Sequence, residues 1–142
     1  MRVEKIECVC FYVKDLDKAT RFFSDLLGLE FSKPFEMPEG GVRNVMEPHG
    51  MELISASSPD SPAADYIEKY GEGFAMLGFK VENLEEAIKE MEAKGVRLVR
   101  RMQIGKVKNA LFHPKDAHGI MIELLEYKAP HPEIPLFGLK EW

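Results

Sequence analysis

Two glutamates lie in the middle of short apolar stretches, where a carboxylate is not expected. Glu52 lies within residues 51–54, and Glu123 lies within residues 121–125. A buried carboxylate must be hydrogen-bonded, paired or protonated, and burial raises its pKa toward the range that suits a general base. The alternative is that apolar and polar residues alternate along each strand, so that both glutamate side chains face solvent. Because both glutamates hold the same place in an internal repeat, we predict that they form a functional pair facing one cavity.

The repeat is clearest where two helices are predicted to begin. The segment VKDLDKA at residues 13–19 recurs as VENLEEA at residues 81–87, which is 68 positions later. Asp15 and Asn83 are the predicted N-caps. An apolar strand precedes each helix, at 6–13 and at 74–81. A second strand is predicted after each helix, at 29–35 and at 96–102. A third begins near 41 and near 105, and a fourth surrounds each of the two glutamates. The order is β-α-β-β-β, twice.

This order predicts an α+β fold in which two βαβββ modules form a pseudo-twofold repeat. We expect a single domain over residues 1–142, with a cup-shaped mixed sheet, helices outside it and a ligand in the cup. Module one covers about 4–56, a linker with a short helix covers 57–73, and module two covers 74–127. The tail, 128–142, is rich in proline and apolar residues, and we expect it to pack on the domain or on a partner chain.

Composition and charge exclude several classes of protein. The net charge of −5 argues against nucleic acid as a partner. There is no apolar run long enough to cross a membrane and no apolar stretch near the start typical of a signal peptide, so we expect a cytoplasmic protein. Residues 93–115 carry seven lysines and arginines and no acid. This basic segment is either a solvated face or a binding surface for an anionic small molecule.

The two cysteines, Cys8 and Cys10, are separated by one residue on the first predicted strand. Alternate residues of a strand point to the same face, at a spacing of roughly 6.6 Å that disfavours an unstrained disulfide. We therefore expect two thiols. The plain interpretation is that both pack as small hydrophobic residues.

Three stretches together resemble a known family. They are SPDSP at 58–62, KYGEG at 69–73, and FHPKD at 112–116 leading into IEL at 122–124. With the paired modules and the strand glutamates, they resemble the vicinal oxygen chelate superfamily of glyoxalases, bleomycin-resistance proteins, extradiol dioxygenases and methylmalonyl-CoA epimerases, and the epimerase branch most of all. The resemblance covers about residues 4–127.

The resemblance implies a divalent metal such as Co, Ni, Zn or Mn, held by a histidine on the first strand of each module and a Glu or Gln on the last. Glu52 and Glu123 match the last-strand positions. The histidine positions, five residues before Val13 and Val81, hold Cys8 and Met76. Because a thioether is a poor ligand for a hard metal, the resemblance leaves open whether a metal binds, and a thiolate-bound zinc or Cu(I) is the alternative.

The resemblance also implies proton removal next to a thioester carbonyl by a carboxylate base, with Glu123 as the first candidate base and Glu52 as the second carboxylate. Without histidine ligands the enolate needs another stabiliser, for which we predict backbone N–H groups or Lys80, while Lys106, Lys108 and Lys115 hold the anionic end of a coenzyme A ester. Three functions stay open: an isomerase or lyase, a metal-free small-molecule binder of the resistance type, and an extradiol-type dioxygenase. The family and the apolar tail favour a homodimer.

Overall fold

The computed structural model describes residues 1–128, which form two compact units. The Glu52 unit is Cys10–Phe74, and the Glu123 unit is Met1–Val9 with the chain from Ala75 onward. The helices are α1 (Leu16–Leu27), α2 (Pro62–Tyr70) and α3 (Leu84–Ala93). The strands are β1 (Val3–Tyr12), β2 (Phe35–Met37), β3 (Val42–Met46), β4 (Met51–Ala56), β5 (Gly73–Val81), β6 (Leu98–Ile104), β7 (Val107–Phe112) and β8 (Met121–Glu126).

In the Glu52 unit the strand order is β2-β3-β4, followed by the end of β1. β3 and β4 are antiparallel, with Val45 opposite Leu53 and Met46 opposite Glu52. The Asp15 carboxylate accepts a hydrogen bond from the Lys18 backbone N–H and begins α1. The unit's buried core is built from β3, β4, α1 and the residue that follows β1: Val13, Leu16, Val45 and Leu53. This packing holds β4, and with it Glu52, against its neighbours.

In the Glu123 unit the start of β1 is followed by β5-β8-β7-β6. β5 and β8 are parallel, whereas β6, β7 and β8 are antiparallel neighbours, so the sheet is mixed. The side chain of Asn83 accepts from the Glu86 backbone N–H at the start of α3. The helix buries its apolar stripe on the sheet through Leu84, Ala87, Ile88 and Met91. The face of the sheet that α3 covers is therefore core.

The element order is β-α-β-β-β twice, with α2 between the copies, which confirms the predicted α+β fold. The prediction of a strand at 29–35 is wrong, since β2 begins only at Phe35. Pro34 has no N–H for a ladder hydrogen bond, so the chain before it runs as a loop. Division into a single domain stays a prediction, and the tail beyond Lys128 lies outside the described residues. No helix among residues 1–128 is long and apolar enough to cross a membrane.

Candidate active site

Glu123 lies on β8 with only 7% of its surface exposed, so it does not face solvent. Its Oε1 accepts a hydrogen bond from Asn109 Nδ2 at 2.9 Å. The Cys8 Sγ lies 3.7 Å from Oε2, which is a long contact for a thiol donor. The carboxylate is thus oriented by an amide on one oxygen and approached by a sulfur on the other.

Gly78 makes room for this arrangement. It is opposite Glu123 in the β5–β8 pairing. A Cβ atom at position 78 would lie 2.4 Å from Cys8 Sγ and 3.4 Å from Glu123 Oε2. The missing side chain is therefore what allows the thiol to reach the carboxylate. Met76, the other predicted metal position, is opposite Met121 two residues earlier on β5 and is half-buried.

Glu52 has the same kinds of neighbour in its own unit. Asn44 Nδ2 donates to Glu52 Oε1 at 2.6 Å, and Cys10 Sγ donates to Oε2 at 3.2 Å. Burial raises the pKa of Glu52, while the hydrogen bonds from Asn44 and Cys10 oppose this shift. Burial also raises the pKa of Tyr12, which lies close enough to feel the charges of Cys10 and Glu52.

The two asparagines are the site residues that our sequence reasoning did not select. Their signal was present, because VRN at 42–44 and VKN at 107–109 begin matching strands. What was missing was the cross-strand register: Asn44 lies two positions from the residue opposite Glu52, and Asn109 two positions from the residue opposite Glu123. Each amide therefore shares a sheet face with its glutamate.

Each asparagine also has an unsatisfied carbonyl. The side chains of Asn44 and Asn109 are 2% and 4% exposed. Within the described residues, neither Oδ1 atom has a hydrogen-bond partner. Buried polar atoms without partners are uncommon in native proteins, so these two oxygens are candidate ligand-binding atoms.

Lys80 is buried in the Glu123 unit. Its Nζ forms a 2.7 Å ion pair with Glu4 Oε2 and lies 4.6 Å from the centre of the Tyr127 ring. The Tyr127 hydroxyl in turn donates to Glu7 Oε1 at 2.7 Å. Lys80 follows Gly78 by two residues on β5, so the two share a face of the strand. The ammonium group is held in place by a carboxylate and an aromatic ring.

The predicted basic segment is largely neutralised by acids of the same unit. Lys108 pairs with Glu126 at 3.1 Å, and the pKa of Glu126 is lowered by the Leu84 backbone N–H and by Lys108. Lys94, Arg97 and Arg101 pair with Glu90, Asp116 and Glu85. Lys106 and Lys115 are exposed, the first in the β6–β7 turn and the second in the 3₁₀ turn Pro114–Asp116. Of the predicted anion-binding lysines, these two stand at the surface and form no ion pair with residues 1–128.

The sequence of residues 5–124 matches the Glyoxalase/Bleomycin resistance protein/Dioxygenase superfamily. The chain belongs to this superfamily. It is 33% identical over 127 residues to the mitochondrial methylmalonyl-CoA epimerase of Homo sapiens, covering 84% of this chain and 72% of that protein. It is 28% identical to the lactoylglutathione lyase of Schizosaccharomyces pombe, covering 94% of this chain and 51% of the relative.

A solved structure confirms the fold. The chain superposes on a methylmalonyl-CoA epimerase in complex with methylmalonyl-CoA and NH4+ with a TM-score of 0.81 and 26% identity, covering 90% of this chain and 97% of that one. The resemblance predicted from the sequence is therefore confirmed. Together these glyoxalase-superfamily relatives support an epimerase or lyase kind of function.

Members of the superfamily commonly bind a divalent metal. In the Glu123 unit the corresponding positions supply a thiol (Cys8), a thioether (Met76) and a carboxylate (Glu123). This mixture of soft and hard donors does not suit the metals that imidazole and carboxylate ligands hold together. The residues at these positions therefore do not fit the implied Co, Ni or Mn. The structure does show cysteine and glutamate ligand atoms close enough to share an ion, including those of Cys10 and Glu52.

Proposed function

We propose that the protein is an epimerase, or a related lyase, that removes the proton next to the carbonyl of an acyl-CoA substrate, with Glu123 as the general base. The observation that carries this proposal is the buried carboxylate of Glu123, oriented by Asn109 at 2.9 Å. A carboxylate withdrawn from water and held in one orientation is suited to taking a proton from carbon. The likeness to methylmalonyl-CoA epimerases supports the choice of substrate class.

The mechanism follows from the two oxygens of Glu123. Asn109 occupies Oε1, so Oε2 accepts the proton from the carbon next to the carbonyl. The electron pair of the broken C–H bond moves toward the carbonyl oxygen and gives an enolate. Glu123 then releases this proton to solvent, and addition of a proton from solvent to the other face of the carbon gives the epimer.

The enolate oxygen needs a positive or hydrogen-bonding partner. We propose Lys80 for this role, because it is a buried ammonium group on the strand that pairs with Glu123. Lys106 and Lys115 are proposed to meet the anionic end of the substrate at the surface. Lys108 would first have to leave Glu126, 3.1 Å away.

The test is deuterium uptake by methylmalonyl-CoA in D2O, followed by mass spectrometry. We expect Glu123→Gln to slow exchange by about 10²–10⁴-fold, the usual contribution of a general base. Glu52→Gln is the matched control, since it removes the corresponding carboxylate of the other unit, and we expect a smaller effect. Exchange that is unchanged in Glu123→Gln would disprove the assignment of the base.

The second candidate function is metal-free binding of an acyl or carbonyl compound without reaction. The presence of Cys8 and Met76 at the family's histidine positions favours it. Calorimetry on the same methylmalonyl-CoA solutions separates the two functions. Binding with no deuterium uptake in the unmodified protein would support the binder and exclude the epimerase.

We also propose a homodimer. Three apolar residues of α1 are each more than half exposed, namely Phe22, Leu26 and Leu27. Contiguous exposed apolar side chains on a helix are typical of a protein contact surface. Sedimentation equilibrium should give twice the chain mass, and Leu26→Glu should reduce it to one chain. A monomer in the unmodified protein would disprove the proposal.

A further inference from the structure

Lys80 is a buried cation that is paired with a single carboxylate. The residue is 7% exposed, and its Nζ lies 2.7 Å from Glu4 Oε2. Within residues 1–128, Glu4 is the one hydrogen-bond acceptor and the one ion-pair partner of this ammonium group. A buried charge without a counter-charge is strongly unfavourable. Lys80 therefore needs an anion at this position, whether the anion comes from the protein or from a ligand.

The two partners of this ion pair differ in how deeply they are buried. The Lys80 side chain is 9% exposed, whereas the Glu4 side chain is 38% exposed. Glu4 lies near the start of β1, where residues 1–6 are all exposed. Rotation of the Glu4 side chain would return its carboxylate to water, which solvates it well. The ammonium group would stay buried, so this ion pair opens readily only when another anion takes the place of Glu4.

The ring of Tyr127 holds the ammonium group in place. Lys80 Nζ lies 4.6 Å from the centre of this ring, which is within the range of a cation–π interaction. The Tyr127 hydroxyl donates to Glu7 Oε1 at 2.7 Å, and this hydrogen bond fixes the orientation of the ring. An ammonium group has three N–H donors, and the described carboxylate contact is to one oxygen of Glu4. Lys80 therefore has the donors to bind both oxygens of an incoming carboxylate.

The surroundings of Lys80 favour an organic carboxylate. Lys80 is opposite Leu125 on β8, and Leu125 belongs to a buried apolar cluster with Val107 and Tyr127. A carboxylate that carries a short apolar chain would meet the ammonium group with its charge and this cluster with its chain. An inorganic anion such as sulfate would lose its water without gaining the apolar contact.

We propose that Lys80 and Tyr127 form a binding site for the carboxylate of a small organic acid, and that Glu4 occupies this site while no ligand is bound. Glu4 is then an internal competitor, because a ligand binds only to the fraction of molecules in which Lys80 is free. The enolate role of Lys80 requires the same release of Glu4 and rests on the proposed function, whereas carboxylate binding at Lys80 does not depend on catalysis.

The test is the binding of butyrate to the whole chain, measured by a saturation-transfer difference NMR titration. The wild-type protein should bind butyrate weakly. Glu4→Gln should bind it at least about tenfold more tightly, because the internal carboxylate no longer occupies the ammonium group. Butyramide, which has the same shape without the charge, should bind to neither protein. This readout needs no reaction, so it stays informative if the proposed epimerase activity is absent.

Two further substitutions separate this site from a general effect of charge. Glu82→Gln is the matched control, since it removes the same charge from the Glu123 unit, but Glu82 pairs with Arg2 at 3.7 Å on the surface. Its affinity for butyrate should equal that of the wild type.

Lys80→Met should abolish binding, also when it is combined with Glu4→Gln, and circular dichroism checks that each variant is folded. The comparison of Glu4→Gln with Glu82→Gln is decisive by itself if Lys80→Met does not fold. Absent or unimproved butyrate binding in Glu4→Gln, binding that survives Lys80→Met, or sulfate bound as tightly as butyrate would overturn the proposal.

Discussion

The two strand glutamates occupy matching places in the repeat, yet the sulfur atom near each carboxylate comes from a different position and lies at a different distance. Both accept an amide N–H on Oε1, from Asn44 in one unit and from Asn109 in the other. Both have a sulfur near Oε2, at 3.2 Å for Glu52 and 3.7 Å for Glu123. The amide–carboxylate pair has therefore the same construction in each module, and the sulfur is the feature that varies.

The sulfur comes from two different places. Cys10 and Gly78 correspond in the repeat, so Glu52 meets the thiol that stands at this place, while Glu123 faces a glycine. The space left by Gly78 is taken by Cys8. This difference shows how one module plan supplies a short thiol–carboxylate contact in one unit and a longer one in the other.

A large effect on stability is expected from filling the space at Gly78. In Gly78→Ala the added Cβ would lie 2.4 Å from Cys8 Sγ, and the sulfur has only one bond about which to move. Overpacking of this kind costs about 1–3 kcal/mol. We therefore expect a lower free energy of unfolding by that amount, measured by urea denaturation.

A double-mutant cycle assigns this loss to the sulfur. Cys8→Ala removes the atom that the new methyl group would strike, so Cys8→Ala with Gly78→Ala should recover most of the stability lost by Gly78→Ala alone. If the two losses simply add, the close approach of Cys8 to Gly78 is not what makes glycine necessary at this position.

The sequence predicted the parts of this comparison that depend on local pattern. Periodicity and the repeat predicted where the helices start, at Asp15 and Asn83. They also predicted the two modules and the choice of both glutamates as site residues. The partners of Glu123 could not be predicted, because Asn109 and Cys8 reach it across strands whose register the sequence does not state.

The same reason explains the basic segment. Arg97, Arg101 and Lys108 are close together in sequence, which predicted a cationic surface. Their acidic partners come from other elements, for example Glu85 on α3 and Glu126 on β8. Only the packing of α3 and β8 against the β6–β7 hairpin brings these opposite charges together.

A comparison of Asn109→Ala with Asn44→Ala tests whether burial distinguishes the two amide–carboxylate pairs. A hydrogen bond to a charged group contributes about 1.5–3 kcal/mol when water cannot replace it. Glu123 is 7% exposed, whereas Glu52 is half-buried, so water can reach Glu52 more easily. We expect Asn109→Ala to lower the free energy of unfolding by about 1.5–3 kcal/mol and Asn44→Ala to lower it by about 1 kcal/mol.

The two variants are compared in the same denaturant series, with Asn→Asp at each position as the second test. An aspartate beside a buried glutamate adds a like charge, so it should destabilise more than alanine does at pH 7. Equal losses for Asn109→Ala and Asn44→Ala would mean that burial of the carboxylate does not set the strength of the pair.

The smallest expected effect concerns how each unit closes the turn before its glutamate strand. In the Glu52 unit the Glu47 backbone bonds to Met51 and Gly50, at 2.8 and 2.9 Å. In the Glu123 unit Arg97 Nε donates to Asp116 at 2.7 Å and lowers the pKa of that carboxyl from 3.8 to about 2.

Because the folded-state pKa of Asp116 is depressed, the stabilisation is fully present above the unfolded value and is lost as the pH falls through about 2. The pair is exposed, so its contribution is small. Wild type should melt slightly above Asp116→Asn at pH 6, and this gap should close by pH 2. Asp25→Asn on α1 serves as the control, since Asp25 has no such partner within the described part of the chain. A gap that persists unchanged to pH 2 would show that Asp116 closes its turn through its shape and not its charge.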